Sequence, residues 1–436
     1  MSARLAAVRA LVRLETDRAF VGLAERDADA DADTARAATD LTAGVTRHLR
    51  WLDFLISPLV NGGLERLDAP VRAALRLGAY EIAVAGTKPH AAVAEAVGAA
   101  RTLAGRGAAG LVNAVLRRLA ALEGHYPAPA TGDAAEDLAL RYSHPTWLVR
   151  RWLGRFGVGG TEALLRHDNA RPTYGLRTNP LRTTPEALRS RLDELGVPYE
   201  SSPYLPDFVR LPALQAILRA GLVREGRAYV QDEAAGLVVR VLDPQPDETG
   251  FDVAAAPGGK TLYAGALMQN RGRIVASDAH AGRLRLLERA LPAAGLTIVE
   301  TLAEDIETRA ASGATADAVL LDAPCSGTGV LAKRADLRWQ RTEADLAELG
   351  ALQTRLLDAA AVLVRSGGRL VYSTCSIEPE ENGAQVEGFL ARHADFGLEP
   401  VGERVPDAMR TPEGYYAALP HVHSTDGAFA ALLVRT

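Results

Sequence analysis

From about residue 236 onward the chain alternates short apolar stretches with helical ones, and that alternation admits few folds. Gly250–Val253, Arg273–Ser277, Thr297–Leu302, Ala318–Leu321 and Arg369–Ser373 are strand-like, and segments long enough for helices separate them. Strands joined through helices pair in parallel, because each helix returns the chain to the starting edge of the sheet. Residues 236–436 are therefore expected to form a Rossmann-like α/β domain, a parallel sheet with helices on both faces. Such a sheet binds ligands in the crevice beyond the carboxyl ends of its strands. The residues that close each strand are the first candidates for chemistry.

With 436 residues the chain is too long for one ordinary core. Residues 1–130 read as helix after helix, with apolar residues at three and four spacing over Pro70–Val84 and His90–Leu122, interrupted at Gly105, Gly107 and Gly110. His125–Asp133 is rich in Pro, Ala and Gly and reads as a linker. Residues 138–235 form a small α/β unit: helices at Pro145–Phe156 and Pro185–Leu195, strands at Tyr174–Thr178 and Phe208–Leu211.

Composition limits the class. At 48% hydrophobic and 24% charged residues the chain is globular in composition, and no apolar run approaches the length of a membrane helix. The amino-terminal stretch carries arginines every few residues, which excludes the apolar centre of a secretory signal. Its Leu5, Val8, Leu11, Val12 and Leu14 share one helical stripe, which favours a first core helix over a mitochondrial transit peptide. A cytoplasmic monomer without a membrane or a metal is expected. The net charge of −5 argues against a protein held on nucleic acid by its total charge. Local clusters still permit an RNA groove: Arg117 and Arg118; Arg141, Arg150, Arg151 and Arg155; Lys333, Arg334 and Arg338.

The strand ends carry the chemistry. The first runs into Asp252-Val-Ala-Ala-Ala-Pro-Gly-Gly-Lys-Thr261, where Gly258 and Gly259 let the backbone turn sharply and approach a ligand. A phosphate-binding loop would need glycine at position 254, which is Ala, and the three spaced glycines of a dinucleotide site are absent too. The second strand closes on Asp278, twenty residues beyond Gly258, where a carboxylate can accept hydrogen bonds from ribose hydroxyls. The fourth and fifth lead to Cys325, in Asp322-Ala-Pro-Cys-Ser-Gly-Thr-Gly329, and to Cys375, in Tyr372-Ser-Thr-Cys-Ser376. These are the chain's two cysteines, too few for a disulfide framework or, unaided, for a zinc site. Gly327 and Gly329 would let their loop close over a flat ligand. A thiolate beside Asp322 and a nucleoside site suggests covalent activation of an electron-poor ring, with Lys260 or a helix end available to favour ionisation. A redox pair and a non-catalytic RNA-binding factor are the rival classes.

These motifs, with Pro379, Glu380, Glu381 and Asn382 after the second cysteine, resemble those of S-adenosylmethionine-dependent RNA cytosine-5 methyltransferases. Leu77-Gly-Ala-Tyr-Glu81, Pro89-His-Ala-Ala-Val-Ala-Glu-Ala-Val97 and Leu111-Val-Asn-Ala-Val-Leu-Arg-Arg-Leu119 are similar to the all-helical NusB-like RNA-binding domain. The pairing resembles the RsmB (Sun/Fmu) family of 16S ribosomal RNA cytosine-C5 methyltransferases. Tyr142-Ser-His-Pro145 and the closing Pro420-His-x-His-x-Thr-Asp-Gly-x-Phe429 extend the likeness over nearly the whole chain.

The resemblance implies the following roles. Ala254, Ala255, Ala256, Pro257, Gly258, Gly259 and Lys260 would hold S-adenosyl-L-methionine, which leaves as S-adenosyl-L-homocysteine. Asp278 would bind its ribose, Asp305 would lie near its adenine, and Asp322 would touch both the cofactor and the target cytosine of 16S rRNA. Cys375 corresponds to the nucleophile and Cys325 to the residue that assists product release. Spacing alone does not separate the two cysteines, since in resembling DNA enzymes the Pro-Cys element carries the nucleophile.

Overall fold

The computed structural model describes residues 2–17 and 31–436. Two compact units emerge. One runs to Ala170 and takes in Leu331–Arg341; the other holds Arg171–Val330 and Thr342–Thr436.

The first unit is helical, as its periodicity predicts. Ala3–Asp17, Ala32–Arg47, Leu49–Ile56, Ala69–Ala83 and Pro89–Ala120 pack around one core that includes Val8, Leu52, Leu75, Leu77, Val112 and Leu116. The stripe of the first helix is spent on that core, with Val8 and Leu11 buried. Close helix approach is set by small residues: a side chain at Gly78 would collide with Leu116, and one at Gly44 with the Tyr80 ring. Of the three glycines expected to interrupt Pro89–Ala120, Gly105 alone has non-helical geometry (φ 89°). Thr146–Asn169 continues well past Phe156 and breaks only at Gly157 (φ 65°).

Arg338 corrects the reading of the third basic cluster. Rather than facing solvent it is 1% exposed. Its guanidinium donates to the carbonyls of Arg47, Ser143, Asp168 and Leu331 and to Asn169 Oδ1, all within the first unit. Burial lowers its pKa to about 10. Arg117, Arg118, Arg141, Arg150 and Arg155 remain exposed.

The second unit carries two sheets. In the smaller, β1 (Tyr174–Thr178), β2 (Glu200–Ser201), β3 (Phe208–Leu211) and β4 (Ala228–Val230) lie antiparallel in the order β2-β3-β1-β4. Leu188 and Leu192 of the helix Pro185–Glu194 pack on it with Leu176 and Leu211.

The larger sheet has eight strands. β5 (Thr249–Asp252), β6 (Arg273–Ser277), β7 (Val299–Leu302), β8 (Ala316–Asp322) and β9 (Val364–Thr374) run parallel in the order β9-β8-β5-β6-β7. The purely parallel expectation is corrected at one edge. β10 (Phe396–Glu399), β11 (Tyr416–Ala418) and β12 (Ala428–Arg435) add antiparallel strands, with β12 between β9 and β10. Alternation along the central strands supplies two cores. Ala318, Leu320 and Val371 face Leu237, Val241 and Tyr263 of the helices Glu233–Leu242 and Gly259–Leu267. Val319, Leu321, Leu370 and Tyr372 face Leu357, Val386 and Phe389 of Glu343–Val362 and Gly383–Arg392. Among the described residues no helix is long and apolar enough to cross a membrane.

Candidate active site

Strand order reverses between β5 and β8, since β6 and β7 extend to one side of β5 while β8 and β9 extend to the other. That switch point leaves a crevice at the carboxyl ends of the strands. Asp252 closes β5, Asp278 follows β6, Asp322 closes β8, and Cys375 follows β9.

The turn after β5 is pinned from β6. Asp278, 7% exposed, accepts from the Ala256 amide (3.1 Å) and the His280 amide (2.8 Å), while Arg283 Nη2 donates to Ala256 O (3.0 Å). Each Asp278 oxygen retains acceptor capacity after its single bond. Gly258 sits at φ 109°, and a Cβ there would strike Leu287. Its glycine is thus demanded by the helix Ala281–Ala294, whereas a Cβ at Gly259 would make only ordinary contact with Gln231. The donor set suits a nucleoside: a carboxylate for vicinal hydroxyls, turn backbone and a helix amino terminus for polar or anionic groups.

Lys260 projects from the first turn of Gly259–Leu267 to Asp322, with Nζ to Oδ2 at 2.6 Å. Ser373 Oγ donates to the other Asp322 oxygen (2.8 Å). Burial would lower the Lys260 pKa, but the charge and hydrogen bond of Asp322, together with Cys375 and Asp252, outweigh it and raise it. The ammonium is therefore held firmly. Below it Asp252 is buried, accepts from Thr261 Oγ1 (2.6 Å), and has its pKa raised to about 6, chiefly by desolvation.

The two thiols meet across the crevice, with Cys325 Sγ and Cys375 Sγ 3.3 Å apart and not joined in a disulfide. The hydrogen bond to Cys375, burial, and the charges of Cys375, Glu381 and Asp322 hold the Cys325 thiol well above its usual range. One thiol stays protonated beside the other. Gly329 also has a use within the fold: its N donates to Cys375 O (3.0 Å), and a Cβ on Gly329 would lie 2.7 Å from that oxygen.

Asp322, Cys325, Cys375 and Lys260 are thus brought together, with Asp278 and residues 254–259 beside them along the strand ends. Asp305 follows β7, whose last residue Leu302 accepts from the Asp278 amide (3.2 Å). It is exposed and caps the helix Ile306–Ala311 through Thr308 N (2.8 Å), bonds from Thr308 holding its carboxyl below the usual range. Sequence reasoning missed Ser373, and it gave Glu381 no role although that carboxylate is fully buried under both thiols' loops. Ser373 sits opposite Asp322 in the β8–β9 register, a signal available only once the strands are paired.

A family model described as 16S rRNA methyltransferase RsmB/F matches residues 239–434. A NusB family model matches 1–121, and a RsmF/B-like ferredoxin-like domain model matches 144–217. The chain is 37% identical to a Synechocystis protein named "Probable ribosomal RNA small subunit methyltransferase B" over 91% of its own length and 90% of the relative's. It is 33% identical to the ribosomal RNA small subunit methyltransferase B of Sodalis glossinidius, over 91% and 88%. A crystal structure titled PH0851 superposes with a TM-score of 0.82 at 31% identity, covering 98% of each chain.

Proposed function

The chain belongs to the RsmB/F family of 16S rRNA methyltransferases, and from that premise we propose the finer reaction: methyl transfer from S-adenosyl-L-methionine to C5 of a cytosine in 16S rRNA, through a covalent bond between Cys375 and C6. The observation that carries this reading is the thiol pair, 3.3 Å apart, set beside the Lys260–Asp322 ion pair.

C5 of cytosine is a weak nucleophile. Addition of the Cys375 thiolate to C6 moves electron density to C5, with Asp322, protonated or as a hydrogen-bond partner at N3, steadying the charge that moves onto the ring. Lys260 keeps Asp322 oriented and is the nearby cation while Cys375 is ionised. Residues 254–260 and Asp278 would hold S-adenosyl-L-methionine, which would supply an electrophilic methyl group on sulfur. C5 would take that methyl as its bond to the cofactor sulfur breaks with the electron pair kept by sulfur; C5 then gives up its proton to water, the C–H pair re-forms the C5–C6 double bond, and the Cys375–C6 bond breaks with its electron pair returning to sulfur. Cys325, adjacent and kept as S–H, assists that release. The base must first leave its stack, at about a few kcal/mol in a duplex and less in a loop. The protein is read as a cytoplasmic monomer.

A denaturing gel with RNA and cofactor tests the division of labour. Cys325→Ala should accumulate a covalent RNA adduct and Cys375→Ala should form none; the opposite pattern overturns the assignment. Bisulfite sequencing of 16S rRNA from cells with and without the gene tests C5 of cytosine as the target.

A further inference from the structure

Beneath the thiols lies a buried polar layer for which the reaction above has no use. Glu381 is 0% exposed, and its carboxylate bonds the Cys325 loop directly and the Cys375 loop through Ser326. Oε1 accepts from the Ser326 amide (2.8 Å) and from Gln353 Nε2 (3.0 Å), and Oε2 accepts from Ser326 Oγ. Ser326 follows Cys325 directly, and Gln353 also donates to Pro324 O (2.9 Å) just before it. On the other side, Ser326 Oγ meets the Oγ of Ser376, which follows Cys375 directly, at 3.1 Å. Tyr372 OH, on the strand leading to Cys375, donates to Glu381 O (2.6 Å).

A carboxylate without water costs several kcal/mol unless its lone pairs are filled. Here the donors that fill them are all neutral, and no cation is among them. A site that needed only a hydrogen-bond clamp could use an uncharged amide. A charge on Glu381 would act first on Cys325, whose neighbour Ser326 it bonds directly, whereas it meets the Cys375 loop only through the Ser326–Ser376 contact.

We propose that Glu381 is a positioning residue that clamps the Cys325 loop to the Cys375 loop and, by its buried charge, keeps Cys325 the protonated member of the pair. This rests on the cysteine chemistry proposed above. Alkylation reads the thiols without RNA or methyl transfer, so the two can fail separately.

The full-length Cys375→Ala variant leaves Cys325 as the single cysteine. Its alkylation by iodoacetamide, followed by mass spectrometry across pH, gives the Cys325 ionisation profile with and without Glu381→Gln. Removing the charge should move the profile to lower pH and speed alkylation at fixed neutral pH about tenfold. An unchanged profile in a folded double variant overturns the proposal. Should Glu381→Gln fail to fold, Ser326→Ala keeps the carboxyl and removes the two clamp bonds of the Ser326 hydroxyl, to Glu381 and to Ser376. In the otherwise native enzyme it should lower kcat about tenfold with KM for RNA unchanged. In the Cys375→Ala background it should leave the Cys325 profile in place. A native kcat in Ser326→Ala refutes the clamp, and a displaced profile refutes the role of the charge.

Discussion

Asp252 offers a prediction whose size follows from the structure. One oxygen accepts from Thr261, the other has no hydrogen-bond partner, and the carboxyl is shut away from water at the end of β5. Desolvation first, and then the charge of Asp322, raise its pKa from an ordinary 3.8 to about 6, against the opposing pull of Thr261, Lys260 and the Ala254 amide. A carboxyl with a raised folded pKa binds its proton more tightly in the fold than in the unfolded chain. Its favourable contribution is complete below the unfolded value and is lost as pH rises through about 6. At about 1.4 kcal/mol per pH unit, the loss is on the order of 3 kcal/mol. Asp252→Asn cannot ionise, and its carboxamide oxygen can still accept from Thr261. Its amide nitrogen falls where the unpartnered oxygen was, at about 1–3 kcal/mol, independent of pH. The variant should therefore gain about 3 kcal/mol relative to the native protein between pH about 4 and about 8, whatever its absolute stability. All four tryptophans (Trp51, Trp147, Trp152 and Trp339) lie in the first unit, so fluorescence would follow the wrong part. Hydrogen exchange of β5 and β8 amides, compared between the two proteins at each pH, reads the right one. A difference that is the same at both pH values refutes the argument.

Other consequences are as direct. Gly329→Ala places a methyl group 2.7 Å from Cys375 O and from Gly427 Cα; it should cost about 1–3 kcal/mol and suppress adduct formation, read by denaturation and the RNA gel. Arg338→Met strips the bonds from four buried carbonyls and should destabilise the first unit by at least about 3 kcal/mol, visible in tryptophan fluorescence because Trp339 is adjacent. Asp278→Ala removes both the proposed ribose acceptor and the pin on Ala256. Calorimetry should show S-adenosyl-L-methionine binding weakened by about tenfold or more, with an unaltered affinity counting against the assignment.

The strands that lead to Asp252, Asp278, Asp322 and Cys375 were legible, because they alternate with helices and each ends on, or is followed directly by, Asp or Cys. The antiparallel edge was not. β12 reads Ala-Phe-Ala-Ala-Leu-Leu-Val-Arg and is buried over its first six residues, so no two-residue alternation marks it, and a short apolar run can equally be a buried helix. Asp305 carried a second signal besides its proposed place near the adenine, an acidic residue three positions before Thr308 at a helix start, which is a cap pattern. Arg338 carried none. Its partners include Arg47, 291 residues away, and local charge counting treats any arginine as solvated surface.

The closing Thr-Asp-Gly-x-Phe motif shows what that edge does for the crevice. β12 pairs with β9, Phe429 opposite Thr374, so the strand leading to Cys375 is held on both sides by β8 and β12. Just before β12, Gly427 N donates to Gly329 O (2.7 Å), while Gly329 N bonds Cys375 O. A Cβ on Gly427 would lie 2.7 Å from Gly329 Cα, and one on Gly329 would lie 2.7 Å from Gly427 Cα. Three backbones distant in sequence approach more closely than any side chain permits. The contact fixes the Cys325 loop against the Cys375 loop from above the sheet edge, as the Glu381 layer fixes it from below. Thiols held at 3.3 Å without a disulfide need both supports, since an ordinary loop would let them part.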